Sequence, residues 1–461
     1  MNLSSQHVLV LPFPAQGHVK PLMIFSQKLS QNGFKITFLN TDFIHKRVLD
    51  AMSGDDQTGS KNNIDLVSIP DGLGPEEDRN EFGALSKALL ETMPGKLEKL
   101  IRNINDDDKE NKISCVVADA TMGWVMEVVA KMGIRGAVVW PASAASFAFM
   151  FNVPNMVHDG IVGSIDGIPT KKQMIKLTNG MPALDTSELP WLLGNNNPTS
   201  QKFVFENLGR YIQGCKLADW WLCNTTYNLD SAALSLFPKL LPIGPLNMAN
   251  QAIEHRSQAQ FWAEDSSCLN WLDQQAPSSV IYVAFGSITV HDQTQFDELA
   301  LGLELTGKPF LWVVRPGFTK GCLKSDYPDG FKGNLGKIVS WAPQEKVLSH
   351  PSVVCFVSHC GWNSTIEGLS NGLPFLCWPY FADQFLNKCY ICETWKVGMG
   401  FDWNENGIVS REEVKKKVDQ LLGDGDMRRR CLEMKEMMKK NIAEDGQSSR
   451  NVEELIKWLK A

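Results

Sequence analysis

Residues 341–384 read WAPQEKVLSHPSVVCFVSHCGWNSTIEGLSNGLPFLCWPYFADQ, and this stretch decides the predicted fold. The apolar run VVCFVSH is typical of a buried strand, and the turn CGW and the helical segment NSTIEGLS follow it. The run LPFLCWP predicts the next strand. A strand, a helix and a second strand in this order predict parallel strands joined by a crossover helix.

The same alternation continues toward both ends of the chain. Strand-like runs lie at residues 7–14, 34–41, 113–120 and 134–142. The helical segment 19–31 lies between the first two runs, and the segment 122–132 lies between the last two. The second half repeats the pattern from SVIYVAFGSI onward. We therefore predict an α/β protein with two Rossmann-like domains that face a ligand cleft.

Changes in composition predict the domain boundaries. Residues 247–260 are polar and lack periodicity, so they predict a linker between an N-terminal domain, 1–246, and a C-terminal domain, 261–440. We expect the helical segment 441–461 to pack back on the N-terminal domain. Residues 159–197 are rich in Gly, Pro and Asn and predict loops with short helices.

Composition excludes several classes of protein. The chain of 461 residues has 45 Lys and Arg against 52 Asp and Glu, a formal net charge of −7, whereas nucleic-acid binding usually needs a basic surface. The apolar N-terminal run is interrupted by Pro12 and Pro14 and has no preceding Lys or Arg, unlike a signal peptide. No apolar run is long enough to cross a bilayer, so we expect a cytoplasmic protein without an integral membrane segment. Eleven cysteines, an odd number, do not predict a disulfide framework.

The helix of the 341–384 stretch is a candidate anion site. Asn363, Ser364 and Thr365 are good N-cap residues, and a helix N-terminus with its N–H groups favours phosphate. Such a cap can equally bind nothing. However, Glu367 lies one turn further on the same face, where a carboxylate suits the paired hydroxyls of a ribose. Further candidates for a stacking and a sugar-binding role surround it: Trp341, Trp362, Asp383 and Gln384.

His18 and Asp119 are two further candidate residues, each at a sheet position that suits a polar side chain. His18 follows the first strand, at the end of an open α/β sheet where ligands bind, and its ordinary pKa near 6.5 suits a general base. Asp119 ends a buried-type strand, where a carboxylate needs a polar partner. The alternative for His18 is a solvent-facing residue in the first turn of a helix.

The 341–384 stretch resembles the signature of the plant UDP-glycosyltransferases that act on secondary metabolites. Other matching segments are PFPAQGHVKPLM, VVADATMGW, LLPIGPL, YVAFGS and GQSSRNVEELI, so the resemblance covers the whole chain. It implies the glycosyltransferase-B fold, with the acceptor bound mainly by the N-terminal half and the UDP-sugar mainly by the C-terminal half.

The resemblance also implies roles for individual residues. Trp341 would stack on uracil, Ala342 and Gln344 would contact the base and ribose edge, and Glu367 would hold the ribose hydroxyls. The diphosphate would be bound around the turn at Gly361, and the sugar beside it. The implied diphosphate ligands are Ser287, His359, Asn363 and Ser364, and the implied sugar ligands are Trp362, Asp383 and Gln384. A glutamine at the last position suggests UDP-glucose as donor.

The resemblance implies an inverting, metal-independent transfer to an acceptor hydroxyl or carboxyl, with His18 as base and Asp119 as its partner. The helix N-terminus and His359 would supply the positive potential, no cofactor beyond the donor substrate would be needed, and the protein would be a monomer. The product would be the β-glucoside of a small lipophilic metabolite such as a terpenoid, flavonoid or phenolic. Another UDP-sugar as donor, or a non-catalytic sugar-nucleotide-binding protein, are the alternatives.

The acceptor pocket is the least determined part of the site. Apolar residues of the N-terminal half could line it or could equally form the core: Met122, Trp124, Trp140, Phe147, Phe151 and Trp191. Two acidic runs, 106–108 and 424–426, have the composition of metal-binding loops but are more typical of solvated loops. Cys389 and Cys392 have zinc or redox spacing, yet no second pair follows, which favours two ordinary thiols.

Overall fold

The computed structural model describes residues 6–51, 63–193, 197–248, 260–319 and 327–461. The chain divides into two compact units, unit 1 comprising Met1–Trp262 with Lys440–Ala461, and unit 2 comprising Ala263–Lys439. Most of the predicted linker, from residue 249 to 259, lies outside the described residues.

Unit 1 is built on a parallel sheet. Its described strands are β1 (His7–Leu11), β2 (Lys35–Thr41), β3 (Ile64–Ile69), β4 (Ile113–Asp119), β5 (Arg135–Trp140), β6 (Met174–Ile175), β7 (Leu184–Asp185), β8 (Trp220–Cys223) and β9 (Leu240–Pro242). Seven of them form the sheet β3-β2-β1-β4-β5-β8-β9, whereas β6 and β7 pair antiparallel. All five residues of β1 are buried, and β4 and β5 are buried except for one residue each, as in a parallel sheet covered on both faces.

Helices alternate with these strands. The described helices up to β9 are α1 (Gln16–Gln31), α2 (Asp42–Ala51), α3 (Phe82–Asp107), α4 (Trp124–Lys131), α5 (Ala144–Phe151), α6 (Val153–His158), α7 (Pro198–Lys216) and α8 (Tyr227–Leu236). The acidic run 106–108 is not a loop as expected, because Asp106 and Asp107 form the last turn of α3. Asp108 ends that helix and pairs with Lys35 at 3.0 Å.

Unit 2 repeats the architecture with six strands. They are β10 (Val280–Ala284), β11 (Phe310–Val313), β12 (Gly336–Val339), β13 (Val353–Ser358), β14 (Phe375–Cys377) and β15 (Gly398–Gly400), in the parallel order β12-β11-β10-β13-β14-β15. The helices are α9 (Ser267–Leu272), α10 (Gln293–Leu305), α11 (Gln344–Leu348), α12 (Trp362–Asn371), α13 (Gln384–Cys389), α14 (Arg411–Gly423) and α15 (Gly425–Ile442). A π-helical turn, Tyr390–Thr394, continues α13.

The last helix, α16 (Gln447–Lys460), packs on unit 1. Val452, Leu455 and Leu459 enter the hydrophobic core of the seven-stranded sheet. Asn451 donates to the Pro242 carbonyl at 2.7 Å. The guanidinium of Arg135 donates to the last carbonyls of α16. The final helix is therefore part of the N-terminal sheet's packing.

In both sheets the order of the strands reverses at one strand, which we call the reversal point. In unit 1, β1 pairs with β2 on one side and β4 on the other, and in unit 2, β10 lies between β11 and β13. The connections that follow β1 and β4, and those that follow β10 and β13, run to opposite sides of the sheet, which opens a crevice at the carboxyl ends of these strands. The two reversal points position the two candidate sites.

Candidate active site

The reversal point of unit 1 brings His18 and Asp119 together. His18 lies in the first turn of α1, just after β1, and Asp119 is the last residue of the neighbouring strand β4. The Nδ1 atom of His18 lies 2.7 Å from Oδ2 of Asp119, and the two side chains are 29% and 0% exposed. His18 is therefore bonded to a buried carboxylate while it keeps access to solvent.

Asp119 is held by a second set of bonds. Its Oδ1 accepts from the Thr121 backbone N–H at 2.9 Å and from the Thr121 hydroxyl at 2.7 Å. Both carboxylate oxygens are therefore occupied, and the orientation toward His18 is fixed. A carboxylate oxygen that accepts from Nδ1 selects the neutral tautomer of His18 with its proton on Nδ1 and its lone pair on Nε2.

Aromatic side chains adjoin this pair. The Phe13 ring centroid lies 5.3 Å from that of His18 and 6.4 Å from that of Phe82. Phe13 belongs to the loop after β1, whereas Phe82 begins α3. Neither residue is among the candidates predicted from the sequence, although Phe13 stands in the same PFPAQGH segment as His18.

The reversal point of unit 2 is formed by two tight turns. Gly286 has a φ of 69° and precedes Ser287 in the loop after β10, and Cys360 has a φ of 64° in the turn after β13. A Cβ on Gly286 would lie 2.7 Å from Nε2 of His359, and one on Gly361 would lie 2.4 Å from it. Both glycines are needed because the backbone approaches the imidazole this closely.

The helix that follows begins earlier than expected. Gly361, rather than Asn363, Ser364 or Thr365, is the N-cap of α12, and the Thr365 N–H closes the first turn on the Gly361 carbonyl at 2.9 Å. Extended backbone at Gly361 starts the helix directly after the turn. Asn363 and Ser364 thus lie in the first turn, whose N–H groups have no carbonyl four residues back within the helix.

The expectation that His359 supplies a positive charge is wrong. Burial lowers its pKa to about 4, with a smaller opposing effect of the Ala284 backbone. The imidazole is therefore neutral near pH 7 in this protein, and the ring contributes an N–H donor rather than a positive charge. The positive potential of the turn comes from the N-terminus of α12.

A hydrogen-bonded network surrounds Glu367. The amide nitrogen of Gln344 donates to Oε2 of Glu367 at 2.6 Å and to the Ser364 hydroxyl at 2.9 Å, and its Oε1 accepts from the Tyr282 hydroxyl at 3.1 Å. Glu367 is buried. Tyr282 was missed by sequence analysis, although a tyrosine inside the buried run VIYVA is the kind of residue that needs a polar partner.

Asp383 and Gln384 lie at the start of α13. Gln384 accepts at Oε1 from the backbone N–H groups of Tyr380 and Phe381, at 2.8 and 3.2 Å. Asp383 accepts from the Asn387 amide at 2.9 Å. Ala382, just before them, has a φ of 56°, a left-handed conformation that turns the chain into the helix. The loop therefore holds both side chains in defined orientations.

The two tryptophans of the predicted stacking face differ. Trp341 is partly exposed, and its carbonyl accepts from the Asp265 N–H at 2.9 Å, while Ala342 beside it is buried. Trp362 is only 4% exposed and its ring lies against Trp395 at 6.4 Å between centroids. The expectation that Trp362 offers an open stacking face is therefore wrong.

The predicted acceptor residues belong to the packed core of unit 1. Phe147 stacks on Phe151 at 4.0 Å between centroids and contacts Trp140 edge-on at 5.6 Å. The indole N–H groups of Trp140 and Trp191 donate to the carbonyls of Ser143 and Gly167. Met122 and Trp124 are each 1% exposed. This packing explains these residues without an acceptor.

The remaining candidates have ordinary surroundings. Within the described ranges, no three His, Cys, Asp or Glu side chains converge as a metal site. The Asp424 carboxylate accepts a hydrogen bond from the Met427 N–H at the start of α15. None of the described helices is both long and apolar enough to span a membrane.

Comparisons with known proteins agree with this fold and site. The family model for "UDP-glucoronosyl and UDP-glucosyl transferase" matches residues 217–440. UDP-glycosyltransferase 83A1 of Arabidopsis thaliana is 44% identical over 100% of this chain and 98% of its own length. The 7-deoxyloganetin glucosyltransferase of Catharanthus roseus is 33% identical over 99% of this chain and 96% of its own.

Solved structures give the same result. A UDP-glucosyltransferase from Polygonum tinctorium, in complex with 3,4-dichloroaniline, superposes with a TM-score of 0.81 at 25% identity over 99% of both chains. Phytolacca americana UGT2, complexed with UDP-2fluoro-glucose and pterostilbene, has the same fold, with a TM-score of 0.79 at 24% identity over 99% of this chain and 100% of its own.

Two Rossmann-like units with these sites define a glycosyltransferase of the B fold. The chain belongs to the plant UDP-glycosyltransferase family, as the sequence signature predicts. It is an enzyme that transfers a sugar from a UDP-sugar to a small molecule.

Proposed function

We propose that the enzyme transfers glucose from UDP-glucose to a hydroxyl of a small lipophilic plant metabolite, with inversion to the β-glucoside. The observation that carries this proposal is the 2.7 Å bond between His18 and Asp119 at the reversal point of unit 1. A non-catalytic sugar-nucleotide-binding protein has no use for such a pair. The glucosyltransferase names of several relatives support glucose as donor.

In the proposed mechanism His18 is the general base. Its Nε2 accepts the proton of the acceptor hydroxyl while the oxygen attacks the anomeric carbon from the face opposite UDP. The bond to the diphosphate oxygen breaks, so the configuration inverts and UDP leaves. Asp119 stabilises the imidazolium that forms and keeps the proton on Nδ1, as in a hydrolase triad without its serine.

Unit 2 is proposed to hold UDP-glucose. Trp341, Ala342 and Gln344 would bind uracil and the ribose edge, and Glu367 the ribose hydroxyls. Ser287, Asn363 and Ser364 would donate to the diphosphate together with the N–H of His359. Asp383 and Gln384 would bind glucose. Because a helix N-terminus can stabilise the departing diphosphate, no metal or other cofactor is needed in this scheme.

The acceptor is proposed to lie against Phe13 and Phe82. The Phe13 ring adjoins His18 and the Phe82 ring adjoins Phe13, so a flat apolar molecule resting on these rings would place a hydroxyl near Nε2. Terpenoids, flavonoids and phenolics have this character. A carboxylic acid in the same position would give a glucose ester.

We also propose that the enzyme works in the cytoplasm as a monomer. The ten described cysteines are thiols rather than disulfides, which suits a reducing compartment. Light scattering of the purified protein tests the monomer, and a fluorescent fusion tests the location.

The function is tested by the His18→Ala variant. It should lose transfer to an alcohol but still bind UDP-glucose in a calorimeter, and the exposed His158→Ala is the matched control. A panel of UDP-sugars and plant metabolites, read by UDP release and product mass, identifies donor and acceptor. Near-normal turnover of His18→Ala would overturn the assignment of the base. Preference for another UDP-sugar would overturn glucose as donor.

A further inference from the structure

Two thiols lie close together at the two ends of the segment that contains the proposed sugar ligands Asp383 and Gln384. Cys377 is the last residue of β14, and Cys392 lies in the π-helical turn after α13. Their sulfur atoms are 3.8 Å apart. Cys360, in the turn next to His359, has its thiol beside Cys377 as well.

The two thiols have different surroundings. Cys392 is partly exposed, and its pKa is lowered by its hydrogen bond with Cys377 and, against the effect of burial, by Lys388 and Lys417. Cys377 is buried, and burial raises its pKa well above the ordinary value. A partly exposed cysteine with a lowered pKa beside a buried thiol is the arrangement in which one cysteine reacts and the other resolves.

The pair encloses the loop that presents Asp383 and Gln384. Cys377 and Cys392 are 15 positions apart, and Asp383 and Gln384 lie between them in the sequence. The Asn387 amide, also inside this segment, donates to Asp383 at 2.9 Å and to the Cys360 carbonyl at 2.9 Å. A covalent link between the two sulfurs would therefore act on a segment bonded to the turn after β13.

We propose that Cys392 and Cys377 form a peroxide-sensitive site whose disulfide weakens donor binding. The Cys392 thiolate attacks a peroxide oxygen, which yields a sulfenic acid and releases hydroxide when hydrogen peroxide is the oxidant. The Cys377 thiol then attacks the sulfenic sulfur, a disulfide forms and water leaves. The two thiols lose two electrons, and the peroxide is reduced.

We expect closure of the disulfide to shift the loop. The sulfurs must approach each other from 3.8 Å to about 2.05 Å, and this change of about 1.8 Å is shared between the two side chains and the segments that carry them. A shift of about 1 Å in a substrate-positioning group can cost up to about a hundredfold, so we expect the KM for UDP-glucose to rise about tenfold. This kinetic consequence rests on the proposed function, whereas formation of the disulfide does not.

The experiment treats the full-length enzyme with a small excess of hydrogen peroxide, traps remaining thiols by alkylation and maps linked peptides by mass spectrometry. We expect a Cys377–Cys392 link in the wild type and in Cys389→Ser, which removes a partly exposed thiol three residues away. Cys392→Ser should form no link. Dithiothreitol should remove the link and restore the KM.

Several results would overturn the inference. Cys377 and Cys392 that remain alkylatable after peroxide, or oxidation that ends at Cys389, would exclude the site. A complete link with an unchanged KM would exclude its effect on donor binding. The wild-type peptide map needs no variant to fold and no catalytic assay, so it is decisive even if the glucose donor is wrong.

Discussion

Replacing Asp119 by Asn should change which nitrogen of His18 carries the proton. In the wild type, Oδ1 of Asp119 accepts two hydrogen bonds from Thr121, and Oδ2 accepts from Nδ1 of His18 at 2.7 Å. Asparagine has one oxygen and one NH₂ group. The oxygen stays with the two Thr121 donors, so the NH₂ group faces His18.

The consequence for catalysis follows from this orientation. Nδ1 must then accept, so the proton moves to Nε2 and the lone pair needed to deprotonate the acceptor is lost. The same change in a serine protease lowers kcat by roughly 10⁴, and we expect a loss of roughly 10³ to 10⁴ here, about 4–5 kcal/mol in the barrier.

The assay measures kcat with an alcohol and with a carboxylic acid as acceptor, alongside calorimetric binding of UDP-glucose. A carboxylic acid is already ionised near neutral pH, so its transfer should fall much less. Thr121→Val removes the hydroxyl donor but keeps the backbone one, and should lose less than about tenfold. An Asp119→Asn enzyme that keeps more than about a tenth of its alcohol activity, or loses both activities equally, would refute the reasoning.

Three further changes test other parts of the structure. Gly361→Ala places a Cβ 2.4 Å from Nε2 of His359, so the KM for UDP-glucose should rise about tenfold, and an unchanged KM would contradict the close approach. Asp230 is buried, and desolvation raises its pKa to about 6. Between about pH 4 and pH 6 the Asp230 carboxyl keeps a proton in the folded state that it has lost in the unfolded chain. This carboxyl therefore lowers the free energy of unfolding as pH rises through that range, by up to about 3 kcal/mol. The stability of Asp230→Asn relative to the wild type should therefore rise as pH goes from about 4 to about 6 in urea titrations, and a difference that does not change with pH would contradict this. Activity should survive EDTA, whereas a strict Mg²⁺ requirement would contradict a metal-independent transfer.

Periodicity predicted the strands that position the sites because buried parallel strands are short apolar runs. The pairing of His18 with Asp119, 101 positions apart, was expected from the family resemblance. The fold explains it, because His18 begins the helix after β1 and Asp119 ends the neighbouring strand β4. By contrast, the long helix α3 was not recognised, because Gly83, Pro94 and Gly95 interrupt its helical pattern.

Other parts of the site depend on packing that no local pattern contains. The approach of Phe82 to Phe13 depends on where α3 lies, and the neutral state of His359 depends on burial of its ring. The open face expected of Trp362 is lost because Trp395, far along the chain, lies against it. Residue type indicated which side chains could bind a ligand or act in catalysis, but not which of them remain accessible to a ligand.

The position of α16 matters for recombination between relatives. Unit 1 is discontinuous in sequence, since Lys440–Ala461 belong with Met1–Trp262. A chimera that joins the first half of one enzyme to the second half of another therefore packs a foreign α16 on the N-terminal sheet. The residues at positions 452, 455 and 459 of that core, and the carbonyl that accepts from Arg135, then come from the other enzyme. Exchange of unit 2 between such enzymes should preserve stability best with two crossover points, near residues 262 and 440, so that each N-terminal sheet keeps its own final helix.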